Sequence, residues 1–415
     1  MKYTWFEIRK MLGTPFVWIV LAVVIALDIF SILLAGNQSK YIVASPEFNT
    51  NLQDLKEQRT HFAGAITPDW ILLRQQEAEA ILHDPQYRVS EEEAEKIVQT
   101  QVRQYGYDEE KVRERLFLFL NQQGIAEYDK YEDVLVASNF YTNAKRFGEY
   151  MAEFYQNTYP GKKGETLAAD TRKRYDDLIE EYIAMYHYDY GYKKVRTILA
   201  TYPYTVGAVI LIALAPLFSN EYTRKTDALL LSSQDGKKNL AYNKIKAGLI
   251  VAVAVWGIMT IFNLLIIFSI YGLTGWEAYW QNWLSDVAPF HWSQGQATVV
   301  SVITSLLGSL FFAQIVMLVS SVSKNQFVSL FVGAVLLLFP MIDFAFTNSD
   351  TVNMVYNFLP TRIMMGIRIW QGYGLFYVAG FTFPCQYAVV AFAVIVSVAV
   401  CPLTKYFFTR HQIGN

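Results

Sequence analysis

Six apolar runs constrain this chain more than anything else in it: Phe16–Gly36, Ile198–Phe218, Ala247–Tyr271, Ala297–Ser321, Phe327–Phe346 and Pro384–Thr404. Each reaches the ~20 residues an α-helix needs to cross a hydrocarbon core of ~30 Å. Charge is segregated to match. Residues 37–196 hold 21 Lys/Arg and 28 Asp/Glu, which is 49 of the 72 charges, and the rest are thinly spread between the apolar runs. The overall charged fraction of 17% falls short of the roughly one quarter usual in soluble domains. Two solvents are implied, water for residues 37–197 and lipid for much of the remainder. A formal net charge of −2 lacks the basic surplus of a nucleic-acid binder.

Orientation follows from the basic residues of the short loops. With the N-terminus in the cytoplasm, the inside segments hold Lys2, Arg9, Lys10, Arg224, Lys225, Lys237, Lys238, Lys244, Lys246, Lys324, Lys405 and Arg410, against only Arg362 and Arg368 in the short outside loops. The expected fold is therefore all-α and polytopic, with six transmembrane helices and a large helical extracytoplasmic domain between spans one and two. In order, the segments are a cytoplasmic interfacial helix (1–15), a first span (16–36), the outer domain (37–197), a second span (198–218), a cytoplasmic loop (219–246), a third span (247–271), an outer loop (272–296), a fourth span (297–321), a fifth (327–346), an outer segment (347–383), a sixth span (384–404) and a cytoplasmic tail (405–415). The first run is longer than a signal-peptide core of 7–15 residues and reads as an uncleaved anchor. In the segment before it, Trp5, Ile8 and Leu12 share one face, as in a helix lying in the membrane plane.

The outer domain reads as helical. Thr67-Pro68-Asp69 opens a helix, because proline at the first helical position gives up an amide that has no intrahelical partner. Ser90-Glu91-Glu92-Glu93 has capping-box spacing. A run from Asp108 through Val112, Leu116 and Leu118 closes at Gly124, another spans about Phe140–Tyr155, and a long last one is expected from about Leu167 to Tyr192, leading into the second span. The two cysteines, Cys385 and Cys401, are about 24 Å apart along one helix and cannot pair within the chain.

Catalytic chemistry is not legible. The sequence contains no His-Glu-x-x-His, Gly-x-Ser-x-Gly or Cys-x-x-Cys, and the five histidines are scattered, so neither an enzyme nor a metal site is expected. Gly236-Lys237-Lys238 and Gly161-Lys162-Lys163 lack the spacing and the Ser/Thr of a phosphate-binding P-loop. Four polar residues reach membrane depth: Asp28, Asn263, Gln314 and Asp343. They are the candidates for lining a pathway, with a structural or interfacial role for Asp28 and Asp343 as the competing reading.

The segment between the second and third runs carries the clearest pattern. Glu221 follows directly on the second run. A short stretch, Thr226-Asp227-Ala228-Leu229-Leu230-Leu231, is stopped by Ser232-Ser233 and a turn at Gly236, and Lys238 and Lys244 lead back to the membrane. In this order of residues, and in its layout of six runs with a large loop after the first, the chain resembles the ABC-2 family of bacterial ABC transporter permeases. The resemblance implies that Ala228, Leu229, Leu230, Leu231, Ser232 and Ser233 form a coupling helix that docks on a separate ATPase subunit, two copies of which are expected, and that Glu221 anchors the base of a gating helix. It implies a second permease copy or paralogue, no cofactor in this chain, and ATP and Mg²⁺ bound by the partner. The cargo would be a peptide or another amphipathic molecule, and the location the bacterial cell membrane with both termini cytoplasmic. The alternative is a membrane sensor that detects a ligand with the outer domain and passes the change through the second span; an envelope scaffold is a further one.

Overall fold

A computed structural model describes residues 2–34, 48–105, 107–223, 236–280, 287–323, 325–339, 356–371 and 373–410. The chain is mostly helical, at 79%. The first helix, α1 (Lys2–Leu12), ends at Gly13, and Pro15 opens α2 (Pro15–Leu34). Helix α1 buries Glu7, Ile8 and Met11 and leaves Tyr3, Trp5 and Phe6 exposed. The expected grouping of Trp5 with Ile8 is thus divided, since Ile8 faces the protein and Trp5 faces away from it.

The segment expected to form the outer domain comprises α3 (Phe48–His61), α4 (Pro68–His83), α5 (Glu91–Tyr105), α6 (Glu109–Glu114), α7 (Gln122–Asp129), α8 (Glu132–Ser138), α9 (Phe140–Thr158) and α10 (Lys162–Glu181). Thr67 caps α4, its hydroxyl accepting from the Trp70 amide at 3.2 Å, and Ser90 accepts from the Glu93 amide at 3.3 Å. Helices α9 and α10 form the central hairpin. Gly148 permits their approach, since a Cβ there would lie 2.7 Å from the Tyr175 ring. The run expected to extend from Asp108 to Gly124 is divided by a 3-10 turn at Leu116–Phe119, and Gly124 lies inside α7.

The long helix expected over about 167–192 is also divided. Helix α10 stops at Glu181, and the following residues are drawn into a two-residue ladder in which β1 (Gly64–Ala65) pairs antiparallel with β2 (Met185–Tyr186). The Ile66 amide donates to the Ala184 carbonyl at 2.8 Å and the Tyr279 amide to Met185 at 2.9 Å. These long-range bonds use the backbone groups that a continuing helix would need internally.

Among the described residues, four helices are long and apolar enough to cross a membrane: α2, α14 (Gly236–Tyr271), α15 (Gln294–Val322) and α19 (Cys385–Arg410). The second apolar run does not form one helix. It is distributed over α11 (Tyr190–Leu199), a turn at 200–205, α12 (Val206–Leu214) and α13 (Pro216–Thr223). Pro203 and Pro216 are the cause, each lacking an amide and crowding the carbonyl four residues earlier. The backbone freed at the second break is satisfied by Ser320 of α15. Its hydroxyl donates to the Ala215 carbonyl at 2.7 Å and accepts from the amides of Phe218 and Ser219 at 3.1 and 3.2 Å. Of the fifth run, α16 (Gln326–Leu338) accounts for 13 residues, about 20 Å of helix, and the run's end lies outside the described residues.

The outer segment after it contains α17 (Pro360–Met364), α18 (Arg368–Gln371) and a hairpin of β3 (Leu375–Val378) and β4 (Phe381–Pro384). Pro384, expected to begin the sixth span, closes that hairpin, and α19 starts one residue later. Helix α17 packs along α15. A Cβ on Gly308 would meet the Met364 amide at 2.3 Å, and one on Gly366, at φ 63°, would meet the Ser301 carbonyl at 2.6 Å. Those contacts, at Gly308 and Ser301, lie about 21 and 10 Å down α15 from its first residue.

The outer domain is seated on this framework. The Tyr175 hydroxyl donates to the Val287 carbonyl at 2.6 Å and the Tyr182 hydroxyl to Trp292 at 2.8 Å, while the Leu375 amide donates to the Tyr155 hydroxyl at 2.7 Å. Val287, Tyr373 and Leu375 share a core with Phe140, Tyr155, Tyr175 and Leu178.

Candidate functional site

The candidate site is the charged knot flanking segment 224–235, where α1, α13 and α14 meet. Lys244, one helical turn before the apolar half of α14, is completely buried. Its ammonium group donates to Glu7 of α1, Glu221 of α13 and the Leu217 carbonyl, each at 3.0 Å. An ammonium has three donors, and all three are used. Lys10, one turn beyond Glu7, reaches Glu221 at 2.5 Å. Two cations and two carboxylates therefore neutralise one another, which is what makes so buried a lysine tolerable. Thr4 adds a hydrogen bond to Asn243 at 2.9 Å, and Phe218 packs edge-on against Phe408 of α19 at 5.0 Å.

The proline break positions Glu221. Pro216 interrupts the intrahelical hydrogen bonds between α12 and α13 while Ala215 keeps helical dihedrals (φ −56°, ψ −39°), and Ser320 takes up the freed backbone groups just before Glu221, which reaches Lys244. Beside the knot a cavity of about 290 Å³ opens between α1, α12, α13 and α16, lined by Met11, Phe16, Ile212 and Leu330 with Lys10 and Asn220 among its polar groups.

A second buried network joins the outer domain to the helices below. Arg59 of α3 pairs with Asp133 and, at 3.3 Å, with Asp189. Asp189 also receives Lys193 at 3.0 Å and the Gln294 amide at 2.5 Å, and Gln294 in turn accepts from Arg196. Burial alone would depress the Arg59 pKa, but the surrounding negative groups, led by Asp133, hold it above its ordinary value.

No known family, characterised protein or solved structure matches this chain. Its site is therefore read from its own geometry.

Of the residues singled out from the sequence, Glu221 is in the knot. Ala228, Leu229, Leu230, Leu231, Ser232 and Ser233, and Asp343 as well, lie outside the described residues. Asp28 and Asn263 come together, the Asn263 amide donating to Asp28 at 2.7 Å. Gln314 is buried on α15 and forms no hydrogen bond with that pair; its carbonyl oxygen has no partner among the described residues. Sequence reasoning missed Glu7 and the outer partners Arg59, Asp189 and Gln294. A signal for Glu7 did exist, since Glu7 and Lys10 are three residues apart on one face of α1, and Glu7 is the helix's one acidic residue. For the outer network there was none, because its directly bonded members are separated by up to 130 residues.

Proposed function

We propose that this chain is the permease subunit of an ABC exporter, driven by a separate ATPase. The observation that carries the reading is the knot itself. Segment 224–235 leaves the membrane at Glu221 and returns toward it at Lys244, and both stems are tied to each other and to α1 by one buried ammonium group. Breaking such a buried pair costs on the order of 3–5 kcal/mol, so a push on the loop moves α13, α14 and α1 together instead of dissipating locally. That is the mechanical property a coupling segment needs.

In this reading the chain has six spans. The second, 198–218, runs from the end of α11 through α12 into α13, and the fifth is α16 with the residues after it. Both termini are cytoplasmic, residues 37–197 stand outside the bacterial cell membrane, and α17–α18 dip along α15 from the outer side. Non-helical backbone at that depth is tolerable because it is covered by protein. Ala228–Ser233 dock on the ATPase, which binds ATP and Mg²⁺, and two permease copies enclose a pathway for a peptide or other amphipathic cargo.

The test is purification of the tagged chain in mild detergent. A P-loop ATPase should accompany it in equal amount, and Leu230→Asp should lose that partner while still inserting in the membrane. Purification alone, or with a kinase, overturns the exporter and favours a sensor. One observation supports that second reading: the Asp189 network connects the outer domain to α11, although the uninterrupted helix expected there is replaced by the extended stretch after α10.

A further inference from the structure

Asp28 is used by neither network. It lies 13 residues into α2, about 20 Å from that helix's first residue, and is only 1% exposed. No cationic side chain comes within 4 Å of it among the described residues. Its hydrogen-bond donor is a neutral amide, Asn263 at 2.7 Å. Asn263 is in turn 3.5 Å from the Tyr202 hydroxyl, which donates to Thr260 at 3.1 Å. Asp28 thus heads a buried polar chain joining α2, α14 and the turn between α11 and α12. A cavity of about 10 Å³ adjoins it, lined by Tyr202, Thr260 and Asn263, near the size of one water molecule. The Asn263 carbonyl oxygen is buried there without a donor.

A carboxylate becomes stable in such a setting through a cation or through two or three good donors. With one amide donor and no cation beside it among the described residues, ionisation of the buried carboxyl is disfavoured. The charged groups of neighbouring elements are committed elsewhere. On α1, Glu7 and Lys10 belong to the knot. On α11, Lys194 lies against the rings of Tyr190 and Tyr271, while Lys193 and Arg196 belong to the Asp189 network. The membrane halves of α2 and α14 and the whole of α12 carry no other charge. The remaining titratable groups facing the site are the phenols of Tyr202 and Tyr271, the latter 3.4 Å from the Ile32 carbonyl one turn above Asp28.

We infer that Asp28 and Asn263 form a proton-binding site within the spans, with Asp28 held as the neutral acid while α2 is packed on α14. When those helices part and water enters, the acid O–H bond breaks, the electron pair stays on the carboxylate and the proton passes to that water; repacking takes one up again. A conformational cycle of this chain is then linked to proton release and uptake, whatever supplies its energy.

The experiment is infrared spectroscopy of the full chain in lipid nanodiscs, between pH 5 and 9. At pH 7 the wild type should show a protonated-carboxyl C=O stretch that is lost in Asp28→Asn, and that variant should keep the wild-type thermal midpoint, since one neutral group replaces another. Should Asp28→Asn fail to insert, Asp28→Glu supplies the same readout, its acid band replacing that of Asp28. Disappearance of a carboxylate band, with no acid band lost, overturns the inference. So does a midpoint that sodium raises in the wild type but not in Asp28→Asn, which would put a metal cation where the proton is assigned.

Discussion

The two buried charge networks hold the same molecule from opposite ends, and they are built differently. The knot around Lys244 is balanced, with Lys10 and Lys244 against Glu7 and Glu221, and its central ammonium has every donor used at 3.0 Å. The outer network sets Arg59, Lys193 and Arg196 against Asp133 and Asp189, so a cation is in excess, and Arg196 is accommodated through the neutral Gln294. Asp133 is 59% exposed and Lys193 32%, so water shares in this second network. A closed, neutral knot holds its parts in one arrangement; an open network with surplus charge can exchange partners. The difference suits a rigid base for segment 224–235 and a more adjustable seat for helices α3–α10.

The largest expected effect comes from breaking the closed knot. Lys244→Met leaves Glu7 and Glu221 buried with Lys10 alone between them and should cost about 3–5 kcal/mol, read as a collapse of the thermal midpoint in detergent. Adding Glu7→Gln and Glu221→Gln should restore most of it, because the penalty belongs to unpaired charge and not to lost volume. Asp189→Asn should do less, about 1–3 kcal/mol, since Arg59 keeps Asp133 and Lys193 reaches water. If Asp189→Asn proves the more damaging variant in the same assay, the contrast between closed and open networks is wrong.

A third effect concerns how the knot is positioned. Ser320→Ala removes the hydroxyl that satisfies the backbone at the Pro216 break. It should cost about 1–3 kcal/mol for the groups left unpaired, with tryptic cleavage near 224–235 accelerated as Glu221 loosens. Unchanged stability and cleavage would separate the break from the knot.

What could be read in advance follows from how local the information is. The long helices α2, α14, α15 and α19 are announced by unbroken apolar runs, and Glu221 and Lys244 by their place on either side of a short loop. The second run was read as one helix because its apolar character outweighed Pro203 and Pro216, although proline's missing amide was in plain view. Division of the 167–192 run had no such marker. Ile183, Met185 and Tyr186 suit a helix as well as a strand, and only the distant amides of Ile66 and Tyr279 decide between them. Arg59, Asp189 and Gln294 lie on three separate elements, and a charge on a solvated helix does not disclose which remote charge it will meet. Asp28 stood out as a charge within an apolar run, but its partner on α14 came only from the packing.

The smallest effect tests how far water enters the outer side of the molecule. Burial pushes the Lys194 pKa down to about 8, the ammonium lying 5.5 and 5.7 Å from the rings of Tyr190 and Tyr271. In the unfolded chain the same lysine titrates near its ordinary ~10.4. Between those values the unfolded state binds a proton that the folded state has released, so stability rises with pH. Below about 8 both states are protonated and the cost of burying the charge is carried in full. From pH 8 to 9 the midpoint should therefore climb by the equivalent of about 1 kcal/mol, and Lys194→Met should flatten that slope while raising stability at pH 7. A wild-type slope of zero would mean that water or lipid headgroups already reach the ammonium, making the outer seat more open than the Asp189 network alone implies. A slope that survives in Lys194→Met would exclude that lysine as its source and move the pH response to another group of the seat.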